Sequence, residues 1–218
     1  MGLSPFFGIF FGIVYGRLSK QGDDYTLTKF IMMLKFVIKP FKKIWYNRIE
    51  NREVDGVVKM KRVEDGKITI FDIANFFLKI VDRDAGSTIT PLKLQKILYY
   101  AQGYHLAMYD TELFEDDFQA WAHGPANIEI YNEYKEYGYS AIDAPKGDVP
   151  LLDDGLIDFL YRIWNTYGIF DGKYLEQLTH QETPWIEARG DCKEGEPCTN
   201  IISKDTMKTF FKNKINEQ

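Results

Sequence analysis

The sequence predicts a mainly α, single compact helical domain around a central helix, with a minor short two-stranded β element. Three observations carry this. From Thr69 onward, capping residues repeatedly stand just ahead of apolar stripes with helical spacing. The segment after Thr90-Pro91 is apolar on nearly every face, as a helix surrounded by others must be. Strand-like alternation is clearest in one short run, Phe118-Gln119-Ala120-Trp121, with Ile201-Ile202 as a candidate partner for it.

Thr69 is an N-cap with Asp72 three residues on, and Ile70, Ile73, Ala74, Phe77 and Val81 follow at helical spacing. Gly86 ends that unit. Thr90-Pro91 pairs a cap with proline at the first helical position and starts a helix running to about Tyr109. His123-Gly124-Pro125 reads as a turn, and a helix follows from Asn127 to Tyr137, stopped by Gly138. Pro145 to Pro150 reads as a surface loop. Asp153 and Asp154 open a helix that ends at Gly168. Shorter helices are expected over Lys173–Leu178 and from Thr183-Pro184. Ser203 caps a last amphipathic helix using Met207, Phe210, Phe211 and Ile215.

The 218 residues are 45% hydrophobic and 27% charged, which is globular composition and excludes disorder. Aromatics reach 16%, and most of them are expected in the core. Residues 1–59 hold ten Lys/Arg against five Asp/Glu, a net of +5, which leaves −10 for the rest of a chain whose total is −5. An acidic body argues against nonspecific nucleic-acid binding, which depends on Lys/Arg meeting phosphates. It suits a basic protein partner instead.

Two segments are therefore expected. Residues 1–59 form a basic, apolar leader, either a peripheral appendage or a stretch preceding a true start at Met60. Its apolar run from Leu3 to Tyr15 is too short to span a bilayer, so any membrane contact would be at the surface and through this leader alone. Residues 60–218 form the domain. No secretory pattern precedes it, and a cytoplasmic location follows.

Cys192 and Cys198 sit in a Gly/Pro/Glu-rich loop that is expected to be reduced and flexible. With His180 they supply three metal ligands at most, at a spacing unlike C-x2–4-C, so no metal site is expected. The same residues could form a nucleophile and base. However, Asp191, Glu194 and Glu196 disfavour a thiolate, and a Cys/His-dependent enzyme ranks last among the readings. No phosphate-binding glycine loop, HExxH or EF-hand spacing appears, and neither a cofactor nor a small-molecule substrate is expected.

Three blocks carry a resemblance. They are Leu92-Lys93-Leu94-Gln95-Lys96-Ile97-Leu98-Tyr99-Tyr100-Ala101-Gln102-Gly103-Tyr104-His105-Leu106-Ala107, then Phe118-Gln119-Ala120-Trp121-Ala122-His123-Gly124-Pro125, then Leu178-Thr179-His180-Gln181-Glu182-Thr183-Pro184-Trp185. In order and spacing they resemble the Panacea domain, the antitoxin SocA-like family of phage-associated proteins, over about residues 68–212. One departure is Ala126-Asn127-Ile128, where the family usually carries a Val-Val or Val-Ile pair.

The resemblance implies an antitoxin that binds a cognate toxin encoded nearby. An adaptor that delivers a client to a protease is the alternative. Gln95, Tyr99, Tyr100, Gln102, Trp121, His123, Gly124, Pro125, His180, Pro184 and Trp185 are then expected as structural anchors. Tyr131, Glu133, Tyr134, Glu136 and Tyr137 are expected to meet the partner, because tyrosine joins a rigid ring to a polar tip.

Overall fold

The computed structural model describes residues 60–62 and 67–217, with side chains from 67 onward. The leader, residues 1–59, lies outside the described residues, as does the expectation that it touches a membrane surface.

Seven α-helices and four three-residue strands are described: β1 (Met60–Arg62), α1 (Ile70–Ile80), α2 (Pro91–Tyr109), β2 (Gln119–Trp121), β3 (Gly124–Ala126), α3 (Ile128–Tyr134), β4 (Val149–Leu151), α4 (Asp154–Tyr167), α5 (Gly172–Thr179), α6 (Thr183–Arg189) and α7 (Lys204–Asn216). The architecture is mainly α, as the periodicity predicts. Local chemistry explains the helix starts. Thr69 and Asp72 form a reciprocal capping box, in which each side chain accepts from the other's backbone N–H. Thr90, Asn127, Asp153, Asp171 and Ser203 cap the helices that follow them.

The nineteen-residue α2 is the central helix, and Leu94, Ile97, Leu98, Tyr99, Tyr100, Ala101 and Tyr104 are fully buried along it. α7 packs closest, with the Phe211 ring 4.7 Å from Tyr104 and 5.7 Å from Tyr99. The approach is possible because Gly103 faces that ring, and a β-carbon there would overlap it. On another side Tyr100 stacks flat on Tyr167 of α4 at 3.8 Å, and the Tyr104 and Tyr167 hydroxyls share a 2.9 Å hydrogen bond. The core is thus an aromatic layer around one helix.

Three details differ from the sequence expectations. The turn is Ala122-His123 alone, and Gly124-Pro125 belong to β3, which pairs antiparallel with β2. Gly124 takes φ +87°, which reverses the chain within two residues and lets it turn early. Second, Val149–Leu151 is a strand rather than loop, and it pairs in parallel with β1. A single parallel pair needs no alternating pattern, so periodicity does not reveal it. Third, the helix after Asn127 ends at Tyr134 and tightens to a 3-10 turn over Lys135–Tyr137 before Gly138. The Ile201 pairing holds: Gln119 bridges Ile201, and the Ile202 N–H donates to the Phe118 carbonyl at 2.8 Å.

Candidate functional site

The three sequence blocks converge on the β2–β3 hairpin. It lies across α2, with α5 and α6 on its other sides. Polar side chains of α2 reach outward and grip backbone. Gln95 accepts from the Asn127 N–H and donates to the Asn127 carbonyl, both at 2.8 Å. Asn127 in turn caps α3 through Ile130 N–H and donates to the Asp117 carbonyl. The departure at Asn127 therefore supplies a helix cap that valine could not. Gln102 does the same about two turns further along the same face, accepting from Leu113 N–H at 2.9 Å and donating to the Phe114 carbonyl at 2.8 Å.

Beneath the turn lies Lys96, only 1% exposed, whose ammonium donates to the Pro125 carbonyl at 2.9 Å. Burial is the main influence on it and lowers its pKa to about 7, against the raising effect of Glu176. Gly124 presses on this spot. A β-carbon there would sit 2.6 Å from Thr179 Oγ1 and 2.9 Å from Lys96 Cε. Glycine is thus required both by φ and by space.

Over the turn, exposed His123 meets Glu176 of α5 at 3.3 Å, and Lys173 meets the same carboxylate oxygen at 2.7 Å. Burial pushes the Glu176 carboxyl up, but Lys173 and His123 together hold it below its ordinary value. His180 ends α5 and stacks on Trp185 at 4.1 Å with the rings 11° from parallel. Burial, first, lowers its pKa against the raising effect of Glu176, and the Lys96 and Lys173 charges add to the lowering. The Trp185 indole N–H then donates to the Trp121 carbonyl at 3.0 Å. Pro184 sits in the first turn of α6 and is buried.

Tyr99 and Tyr100 lie one turn on from Lys96 along α2, around Glu182. Tyr100 donates to Glu182 at 3.3 Å and Lys214 of α7 pairs with the same oxygen at 2.8 Å. Burial raises the Glu182 carboxyl, against the pull of Lys214 and Tyr100. Burial also pushes the Tyr99 phenol up, with the Glu182 charge adding to it.

Residues 94–186 match the antitoxin SocA-like, Panacea domain family. The stretch holds nearly all of the three blocks and every side chain expected as an anchor. No curated protein and no solved structure matches the chain.

Placement divides the residues expected at the partner surface. Tyr134 is only 1% exposed, so it faces the core and cannot itself meet a partner. Tyr131 is 44% exposed and packs its ring 4.9 Å from Trp121. Glu133 pairs with Lys146 at 3.4 Å, Glu136 is exposed and Tyr137 is half-buried.

The loop between α6 and α7 also differs from expectation. Cys192 and Cys198 are joined as a disulfide with Cα atoms 6.1 Å apart, not held as separate thiols. The turn at Gly195 brings them together, a local reversal that no spacing rule for metal ligands would show. With the sulfurs bonded to each other and His180 stacked on tryptophan, the cysteine–histidine pair weighed for catalysis is not assembled.

Lys96, Glu176, Glu182 and Arg189 escape a sequence reading of the site. Each is a charged residue buried to within 5% exposure. The one available sign was a lysine on a helix apolar all round. An open groove lined by Lys67, His105, Tyr109, Glu112, Phe114 and Leu156 lies elsewhere on the domain, and none of the anchor residues lines it. His105 at its edge is held by one hydrogen bond to the Thr111 carbonyl. No helix among the described residues is long and apolar enough to cross a membrane.

Proposed function

We propose that this chain is an antitoxin that neutralises a nearby-encoded toxin by direct binding in the cytoplasm. The match of residues 94–186 to the antitoxin SocA-like domain carries the reading. That family implies a protein partner. In this reading residues 60–218 hold the activity and residues 1–59 are peripheral.

The binding face is the outer side of α3 and its junction with the hairpin. Ile128 and Tyr131 are exposed there, and Trp121 is half-buried behind Tyr131. Glu129, Glu133 and Glu136 are carried on the same short segment, with Glu133 paired to Lys146 and Lys135 also exposed. An aromatic centre with an acidic rim is the composition of an interface that takes a basic partner. The anchors named above hold this face rigid: Gln95 fixes the start of α3, and Trp185 fixes the carbonyl of Trp121. A rigid face loses little entropy on binding.

Co-expression with the product of the neighbouring gene tests this, scored by growth. The full chain should rescue growth, and Tyr131→Ala combined with Glu136→Lys should lose most of the rescue while keeping a native circular dichroism spectrum. Undiminished rescue by that variant would place the interface elsewhere. Rescue that requires a host protease would favour the adaptor reading.

A further inference from the structure

The disulfide sits where it can control the hairpin. Arg189 ends α6 and is buried, and its guanidinium donates in two directions. One Nη1 bond goes to the Ala120 carbonyl in β2 at 3.3 Å. The remaining bonds go to loop carbonyls: Glu196 at 2.9 Å, Cys192 at 3.4 Å, and Lys193. Those three acceptors face one cation only while the loop is folded back on itself, and the Cys192–Cys198 bond closes that fold. The chain then runs along the outer edge of β2, where the Ala120 N–H donates to the Asn200 carbonyl at 2.9 Å. Cys198 is buried and Cys192 is half-buried, so only one sulfur of the pair is open to attack.

We propose that Cys192–Cys198 is a thiol–disulfide exchange site whose opening loosens the outer edge of the β2–β3 hairpin. The reductant it takes is a dithiol. A thiolate of the dithiol attacks Sγ of Cys192, the Cys192–Cys198 bond breaks, and Cys198 leaves as a thiolate that takes a proton from water. The second thiol of the reductant, after losing its proton, attacks its own sulfur in the mixed disulfide and expels Cys192 as a thiolate, which is protonated in turn. Two electrons pass to the protein, and the reductant departs as a cyclic disulfide. A monothiol fares worse for two reasons. Cys198 stays beside the mixed disulfide and expels the monothiol again before a second one arrives. Exposed Asp191, Glu194 and Glu196 also outnumber Lys193 and the buried Arg189 around the site and repel an anionic thiol such as glutathione.

The test uses the purified full chain, iodoacetamide labelling and hydrogen exchange read by mass spectrometry. Without reductant, no cysteine should be labelled; after dithiothreitol, both should be. Dithiothreitol should raise exchange in peptides covering Ala120 and Ile202 by at least about tenfold and leave peptides of α2 unchanged, because only the loop-held edge opens. Glutathione at equal thiol concentration should open the bond about tenfold more slowly or worse. A Cys192→Ser, Cys198→Ser variant should exchange at the reduced rate and ignore dithiothreitol. If that variant fails to fold, Cys192→Ala alone serves the same purpose. Two labelled cysteines in the air-oxidised protein would overturn the proposal, as would identical exchange before and after reduction. Neither result depends on whether the chain is an antitoxin.

Discussion

Single atoms decide how closely α2 can be approached. Gly103 has room for a hydrogen and nothing more, since a β-carbon would enter the Phe211 ring. Gly103→Ala should therefore cost about 1–3 kcal/mol in overpacking, measurable as a lower urea midpoint with an unchanged slope. Lys96 makes a different prediction. Its ordinary pKa is near 10.5, and burial lowers it to about 7 in the folded chain. Between those values the unfolded state holds a proton that the folded state has lost, so folding stability should rise with pH. Below about pH 7 both states are charged and this dependence ends. The slope should reach up to about 1.4 kcal/mol per pH unit. Glu176 opposes the shift, and His180 titrates below the window. Denaturation at about pH 7.5 and 9.5 should show the rise in the wild type and its loss in Lys96→Met; equal curves for the two proteins would show that Lys96 keeps its proton when folded.

At the scale of elements, the hairpin is held by its neighbours rather than by its own six ladder residues. A two-stranded ribbon of this size is not stable alone. Arg189→Met should show this, because it leaves the Ala120 carbonyl buried with one donor fewer and unties the loop. The expected cost is about 2 kcal/mol or more, with exchange increased at the hairpin before the rest of the domain. Equal protection in the variant would assign the hold to Lys96 and Trp185 instead. The same contrast explains what was legible in the sequence. Helix starts at Thr69, Thr90 and Ser203 are local chemistry, written in adjacent residues, and all three cap as read; of the Asp153-Asp154 pair read at the start of α4, Asp153 is the cap. The anchors Gln95, Gln102 and Trp185 stood out through the resemblance, although their backbone targets, 11 to 64 residues distant, were invisible. Tyr134 and Tyr137 look alike in sequence, yet the first is buried and the second is half-buried, a difference that depends on what packs against each ring rather than on their spacing. The short parallel pair of β1 with β4 is an encounter between segments with no pattern of their own, and the Cys192–Cys198 bond closes a short loop whose spacing marks no pairing.

For the whole molecule, the division of charge matters most. Residues 60–218 carry −10, a total that includes Glu129, Glu133 and Glu136 on the segment of the exposed Tyr131. Association with a basic partner should therefore be steered, with an on-rate falling about tenfold or more between low and high salt while the dissociation rate changes little. Stopped-flow mixing at two ionic strengths checks this, and a salt-independent on-rate would make the acidity incidental. The central claim is neutralisation by contact alone, and its most direct measurement uses two purified proteins and nothing else. The neighbouring gene product, assayed for its toxic activity in vitro, should be silenced by the full chain at stoichiometric ratio and should co-elute with it in size-exclusion chromatography. A toxin that stays fully active and elutes alone in that mixture would contradict the account.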